Sequence, residues 1–163
     1  MNKEVEKIGF GGGCHWCTEA VFQSLKGVEK VDQGYVSTTM KPEKFSEGVL
    51  VYFNPDVIGL KKLVEIHLRT HKSTSDHSMR SKYLSAIYVF SHLQYHEVNS
   101  KLLEFEINPK NKIITKAYFF GSFKTSREEI KNYYQTDPER PFCTKYIEPK
   151  LAILQDQYQK YLK

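Results

Sequence analysis

The chain reads as an α+β protein. Short runs rich in Val, Ile, Phe and Tyr alternate with segments whose apolar residues recur at helical spacing. The first six such segments come in the order β-α-β-β-α-β, which is the split βαβ, or ferredoxin-like, order. No internal repeat or low-complexity linker divides the 163 residues, so one domain over 1–163 is expected. That order predicts a two-layer sandwich, an antiparallel or mixed sheet with helices on one face, with an additional C-terminal strand and helices.

Each element has a local reason. Val5, Ile8 and Phe10 make a strand that runs into Gly11, Gly12 and Gly13. From residue 14 to 26 the pattern turns helical, with Ala20, Val21 and Leu25 on one face and Gly27 as a C-cap. Residues 28–36 form a second strand, 38–47 a loop, and 48–54 a third strand stopped by Asn54-Pro55. Leu60, Leu63, Val64 and His67 mark an amphipathic helix over 58–71. A polar loop (72–82) leads to a fourth strand over 83–90 and a third helix from 92 to about 107. A turn precedes a fifth strand over 112–120. Thr125 with Glu128, or Ser126 with Glu129, suits a capping box for a helix through Tyr134. A loop with two prolines carries Cys143, and Leu151, Leu154, Tyr158 and Tyr161 stripe a last helix.

The net charge of +5 comes from scattered rather than clustered basic residues, which argues against nucleic-acid binding. The charged N-terminal stretch has no apolar core of a signal peptide, and 49–53, the longest strongly apolar run, is too short to span a membrane. Three cysteines make a poor disulfide framework. A soluble, cytoplasmic protein is expected, with cysteines used for packing or chemistry.

Residues 9–20, GFGGGCHWCTEA, carry the chemical signal. A thiol is a useful nucleophile only as thiolate. In the first turn of a helix it meets unpaired N–H groups and the positive end of the dipole, both of which favour the anion. Glycines before it let a substrate approach the backbone, and Trp16 offers an apolar wall. Three other readings compete. Cys14 could be a small buried hydrophobe at a tight turn. Cys14 and Cys17 could be a dithiol of the Cys-x-x-Cys kind, which makes a general thiol–disulfide oxidoreductase the alternative function. They could also be half of a zinc site, but no second Cys-x-x-Cys follows, and His67/His71 and His92/His96 are only spaced pairs. No metal is therefore expected. A nucleotide loop fits poorly, since Cys14 takes the place of the third glycine.

The same residues resemble the signature of the type A peptide methionine sulfoxide reductases (MsrA). That signature is glycine, the essential cysteine, phenylalanine, tryptophan and glycine, then a Glu-x-x-Phe helix and a Lys-Gly-Val exit. Gly13, Cys14, Trp16, Glu19, Phe22, Gly27 and Val28 match it. Further likeness lies in Gly34-Tyr35, in SEGVLVYFNPDVI (46–58), in KYLSAIYVF (82–90) and, more loosely, in YYQTDPERPFC (133–143). The resemblance implies the ferredoxin-like α+β fold and reduction of the S epimer of methionine sulfoxide, free or protein-bound. Cys14 is then the nucleophile, Glu47 the acid at the sulfoxide oxygen, and Tyr83 a second O–H donor. Trp16 packs on the S-methyl group, with His15 and Asp76 also at the substrate. Cys143 matches the position that resolves the sulfenic acid, and Cys17 rivals it by proximity. Thioredoxin or a similar dithiol reduces the disulfide, and no bound cofactor is required.

The chain departs from the pattern in places. His15 stands where the family has phenylalanine, and Cys17 where it has glycine. The loop between Tyr35 and Glu47 is short and lacks the family's oxygen-binding tyrosine. The short loop either widens the pocket or is compensated from elsewhere, by Tyr35 or an aromatic residue of the C-terminal half.

Overall fold

The computed structural model describes residues 5–12, 15–71, 84–107, 113–126 and 131–163. Cys14, Asp76 and Tyr83 lie outside them, as do the whole 72–82 loop and part of the helix expected before Tyr134.

The fold is α+β. Strands β1 (Glu6–Gly11), β2 (Val28–Thr38), β3 (Ser46–Phe53), β4 (Ala86–Val89) and β5 (Lys116–Thr125) are joined in the order β1-β3-β2-β5-β4, and the ring closes through β1 and β4. The pairs β1–β3, β1–β4, β2–β3 and β2–β5 are antiparallel, and β4–β5 is parallel. The added fifth strand therefore closes the sheet into a barrel by bridging the two edges, β2 and β4. It runs five residues further than 112–120 predicts, because its C-terminal half pairs with β2 out to Gly34↔Thr125.

Side-chain size explains the closure. Gly11, Gly48 and Gly34 lie in one row across β1, β3 and β2. A Cβ at Gly34 would come within 2.6 Å of the Phe123 ring, and one at Gly48 within 3.2 Å of Val36. The barrel interior is thus filled by Val36, Ala86 and Tyr88 together with Leu84, Tyr118, Phe120 and Phe123.

Helices α1 (His15–Gln23) and α2 (Leu60–Thr70) cover the outer face. Ile8 and Phe10 of β1, and Val49, Val51 and Phe53 of β3, pack there with Val21, Phe22, Leu63 and Val64. Phe10 stacks on Phe22 at 4.5 Å. Helix α1 ends at Gln23, before Gly27, because Leu25 dives into the core and bridges Leu162. Gly27, at φ +86°, instead turns the chain into β2. Helix α3 (His92–Glu106) starts at a Ser91 cap. Ser91 Oγ accepts from Gln94 N, and Gln94 Oε1 accepts from Phe90 N.

The C-terminal segment differs most from expectation. After Asn132, in the left-handed conformation, only the short α4 (Tyr133–Thr136) is helical. A π-helical turn (Cys143–Ile147) then runs into α5 (Glu148–Gln157). Tyr158 and Tyr161 lie past that helix rather than on its stripe. Among the described residues, no helix is long and apolar enough to cross a membrane.

Candidate active site

The site forms where β1 ends and α1 begins. Gly12 sits at φ +136°, and a Cβ there would come within 2.6 Å of the His71 ring. Only glycine combines that backbone with that approach. His71 is itself fixed at both nitrogens: Nδ1 faces the His67 carbonyl, and Nε2 lies 3.0 Å from Ser85 Oγ, which lies 2.7 Å from Thr115 Oγ1. This network holds the His71 ring against Gly12.

Glu47 approaches the start of α1 from β3. Its neighbour across the sheet is Tyr35 on β2, so the two side chains share a face. Glu47 is buried, at 5% exposure, and its Oε1 accepts from the backbone N–H of His15 at 3.3 Å. The same oxygen is 2.9 Å from His15 Nδ1. That distance places the ring and the carboxyl group within ion-pair reach of each other. The Glu47 carboxyl group is therefore enclosed at a helix N-terminus, immediately after position 14 in the chain. Strand β3 begins at Ser46 rather than at 48, which is what carries Glu47 into the ladder.

Aromatic rings form the wall. The Trp16 indole stacks on Tyr133 at 4.2 Å with 6° between planes, and Phe142 meets its edge at 5.1 Å. The His15 ring lies 6.0 Å from Trp16 and meets Tyr35 edge-on at 5.5 Å. So Tyr35, and two aromatics from the C-terminal half, stand beside the site. Tyr133 and Phe142 lie in the loosely matching 133–143 segment, but spacing alone did not single them out.

Glu19 holds that segment in place. It is buried, and its carboxylate accepts from Gln33 Nε2 at 3.0 Å, Asn132 N at 2.9 Å and Tyr133 N at 3.1 Å. Burial pushes its carboxyl above the ordinary carboxylate range. The Asn132 and Tyr133 amides, the Gln33 amide and the charge on His15 hold it part of the way back. The signal in the sequence was an acidic residue amid an apolar helix face, which needs buried donors.

Cys17 and Cys143 are both buried. Cys17 and Cys143 share one small cluster with Ala20 and Ile147, under Trp16, Tyr133, Phe142 and Leu151. Cys143 is fully buried in the π-helical turn rather than carried on an open loop, and its Sγ faces the Asp137 carbonyl. Burial pushes its thiol up, with Asp137 and Glu148 adding to the rise and Arg140 opposing it. The structure thus brings His15, Trp16 and Glu47 together, and Cys17 with Cys143 one helical turn further along. Cys14, Tyr83 and Asp76 fall outside the described residues. Among the described residues no group of three His, Cys, Asp or Glu side chains is placed to hold a metal ion.

The chain is 31% identical to the peptide methionine sulfoxide reductase MsrA of a Nitratiruptor species, over 93% of this chain and 95% of that protein. It is 29% identical to the MsrA of Deinococcus radiodurans, over 94% of this chain and 82% of that one. Reduced Mxr1 from Saccharomyces cerevisiae has the same fold, with a TM-score of 0.76 at 22% identity over 86% of this chain and 90% of Mxr1. The crystal structure of Mxr1 in complex with Trx2 matches at 0.64, with 23% identity over 77% and 84% of the two chains. The profile of the family described as peptide methionine sulfoxide reductase matches residues 6–162. The chain belongs to the peptide methionine sulfoxide reductase family.

Proposed function

We propose that this chain reduces the S epimer of methionine sulfoxide, free or in proteins, and so repairs oxidative damage. The observation that carries the reading is the enclosed Glu47 carboxyl at the N-terminus of α1, beside the Trp16–Tyr133–Phe142 wall. A sulfoxide is a polar S=O on an apolar thioether. It asks for an acid at the oxygen and an apolar surface at the methyl group, next to a nucleophile.

In this mechanism the Cys14 thiolate attacks the sulfoxide sulfur. The helix N-terminus favours the thiolate. Glu47 gives a proton to the oxygen, Tyr83 donates a second hydrogen bond, and Trp16 packs on the methyl group. His15 and Asp76 complete the pocket. Methionine leaves, and Cys14 is left as a sulfenic acid. Cys143 condenses with it to a disulfide, releasing water. Its burial requires the π-helical turn to open first, and Cys17 is the rival resolving thiol. Thioredoxin or a similar dithiol regenerates the enzyme by exchange, in keeping with the Mxr1–Trx2 complex. The protein works in the cytoplasm as a single domain spanning 1–163. We read its first four strands, in spatial order β4-β1-β3-β2, as the ferredoxin-like split βαβ unit, with β5 added.

Family membership favours this reading over a general thiol–disulfide oxidoreductase built on Cys14 and Cys17. The test is turnover of both epimers of a blocked methionine sulfoxide with dithiothreitol as donor. Only the S epimer is reduced if the proposal holds. Equal rates on both epimers, or disulfide reduction without sulfoxide reduction, would return the chain to the alternative.

A further inference from the structure

We propose that His15 is a positioning residue acting through Glu47: the two form a proton-sharing pair that supplies the acid of sulfoxide reduction, so the chemical step persists to higher pH than a lone carboxyl allows. The inference rests on the function proposed above.

The geometry is specific. His15 is 3% exposed and Glu47 is 5% exposed. Their Nδ1 and Oε1 atoms are 2.9 Å apart, and the same oxygen accepts the His15 backbone N–H. From the other packed elements, Tyr35 of β2 faces the ring edge-on at 5.5 Å, and Glu19 of α1 interacts with it through charge. These neighbours are acidic or neutral. Cys14, the preceding residue, adds a thiolate in the reactive form.

Burial sets the charge states. Two enclosed groups of opposite type are held most cheaply with one proton between them, because the pair is then neutral overall. Removing that proton leaves a lone buried carboxylate, which burial opposes. The pair therefore keeps its proton above the ordinary imidazole pKa of about 6.5. Without the imidazole, the acid is a single carboxyl group. The ordinary value of such a group is about 4.3.

The proton balance is simple. Cys14 thiolate, sulfoxide and the pair's one proton give the Cys14 sulfenic acid and methionine. The S=O bond breaks and an S–O bond forms on Cys14. The methionine sulfur gains two electrons, and the cysteine sulfur loses two. Solvent then returns a proton to the pair.

The test measures single-turnover rates of the His15→Phe variant and the unaltered protein from about pH 5 to about pH 10, using the S epimer of blocked methionine sulfoxide. Iodoacetamide alkylation of Cys14 is followed separately over the same range. We expect the alkaline limb of the variant to fall at least one pH unit earlier. Its rate is then reduced tenfold or more at about pH 8, while the alkylation profile keeps its midpoint. Superimposable alkaline limbs, with a change in KM alone, would overturn the proposal and leave His15 as a pocket wall. Should the phenylalanine variant misfold, NMR titration of the unaltered protein's histidines, assigned with His15→Gln, decides the matter. A His15 midpoint above about 7.5 supports the pair, and one at or below about 6.5 overturns it. If the unaltered protein shows no S-epimer turnover at any pH, the proposed function fails instead, an outcome none of these profiles mimics.

Discussion

Replacing Glu19 with alanine should unfasten the C-terminal segment from α1. Three donors lose their acceptor: the Gln33 side-chain amide and the backbone N–H groups of Asn132 and Tyr133. Glu19 is 1% exposed and Gln33 is also 1% exposed, so water does not readily replace the carboxylate at the Gln33 amide. Each buried donor left unsatisfied costs about 1–3 kcal/mol. The buried Gln33 amide alone therefore loses about 1–3 kcal/mol, and the backbone N–H groups of Asn132 and Tyr133, which lie nearer solvent, lose less. Relief of the buried charge, which already pushes this carboxyl upward, returns part of that. A net loss of about 1–3 kcal/mol is expected, or roughly 2–12 °C in Tm for a chain of this size. The sequence has one tryptophan, so emission on excitation at its own band reads the Trp16–Tyr133 stack directly. The emission should change in the variant under conditions where circular dichroism still shows native helix. Thermal and urea unfolding give the energy, and Glu19→Gln should lie between alanine and the unaltered protein. A loss below about 1 kcal/mol with unchanged Trp16 emission would refute the role given to this carboxylate.

Three further outcomes follow from the site and its supports. Glu47→Gln should slow single-turnover sulfoxide reduction about 10²–10⁴-fold, with Cys14 still open to alkylation; an unchanged rate removes Glu47 from the chemistry. Cys143→Ser should leave one stoichiometric turnover intact while abolishing thioredoxin-driven cycling, and peptide mapping of the disulfide in the unaltered protein should find Cys14 joined to Cys143. A Cys14–Cys17 link would hand the resolving role to Cys17. Glu65 governs acid stability: burial raises its carboxyl, but the Tyr158 hydroxyl, Lys101 and Lys62 outweigh this and hold it below its ordinary value. Its contribution is therefore present above about pH 4.3 and is lost as pH falls through its lowered value. Glu65→Gln should flatten the acid limb of urea-midpoint stability, and identical limbs would contradict the assignment.

Local pattern carried much of the architecture. Helix α2 falls within its expected limits, because Leu60, Leu63, Val64 and His67 all face the core. Strands β1 and β3 follow their apolar runs. What sequence could not carry was anything fixed by partners far along the chain. Strand β5 extends to Thr125 because it pairs with β2, and Phe123 is accommodated by an absence of side chain at Gly34, far earlier in the chain. Helix α1 stops early because Leu25 finds Leu162. The site divides in the same way. Glu47, Trp16 and His15 were named from the sequence, and they meet at the start of α1. Their mutual geometry was not legible, since His15 and Glu47 are 32 residues apart. Tyr133 and Glu19 act through a hydrogen bond spanning 114 residues, which no local spacing encodes. Two prolines placed Cys143 on a loop, but Ile147 and α1 draw its turn inward.

The central claim is that the sulfur at position 14 takes the oxygen from a sulfoxide. Reduced protein, freed of small thiols, should be mixed with an excess of the S epimer, and the methionine formed should be counted per chain. One equivalent is expected, with Cys14 blocked to iodoacetamide and found by mass spectrometry as a sulfenic acid or disulfide. Methionine released while Cys14 remains fully alkylatable would contradict the mechanism outright.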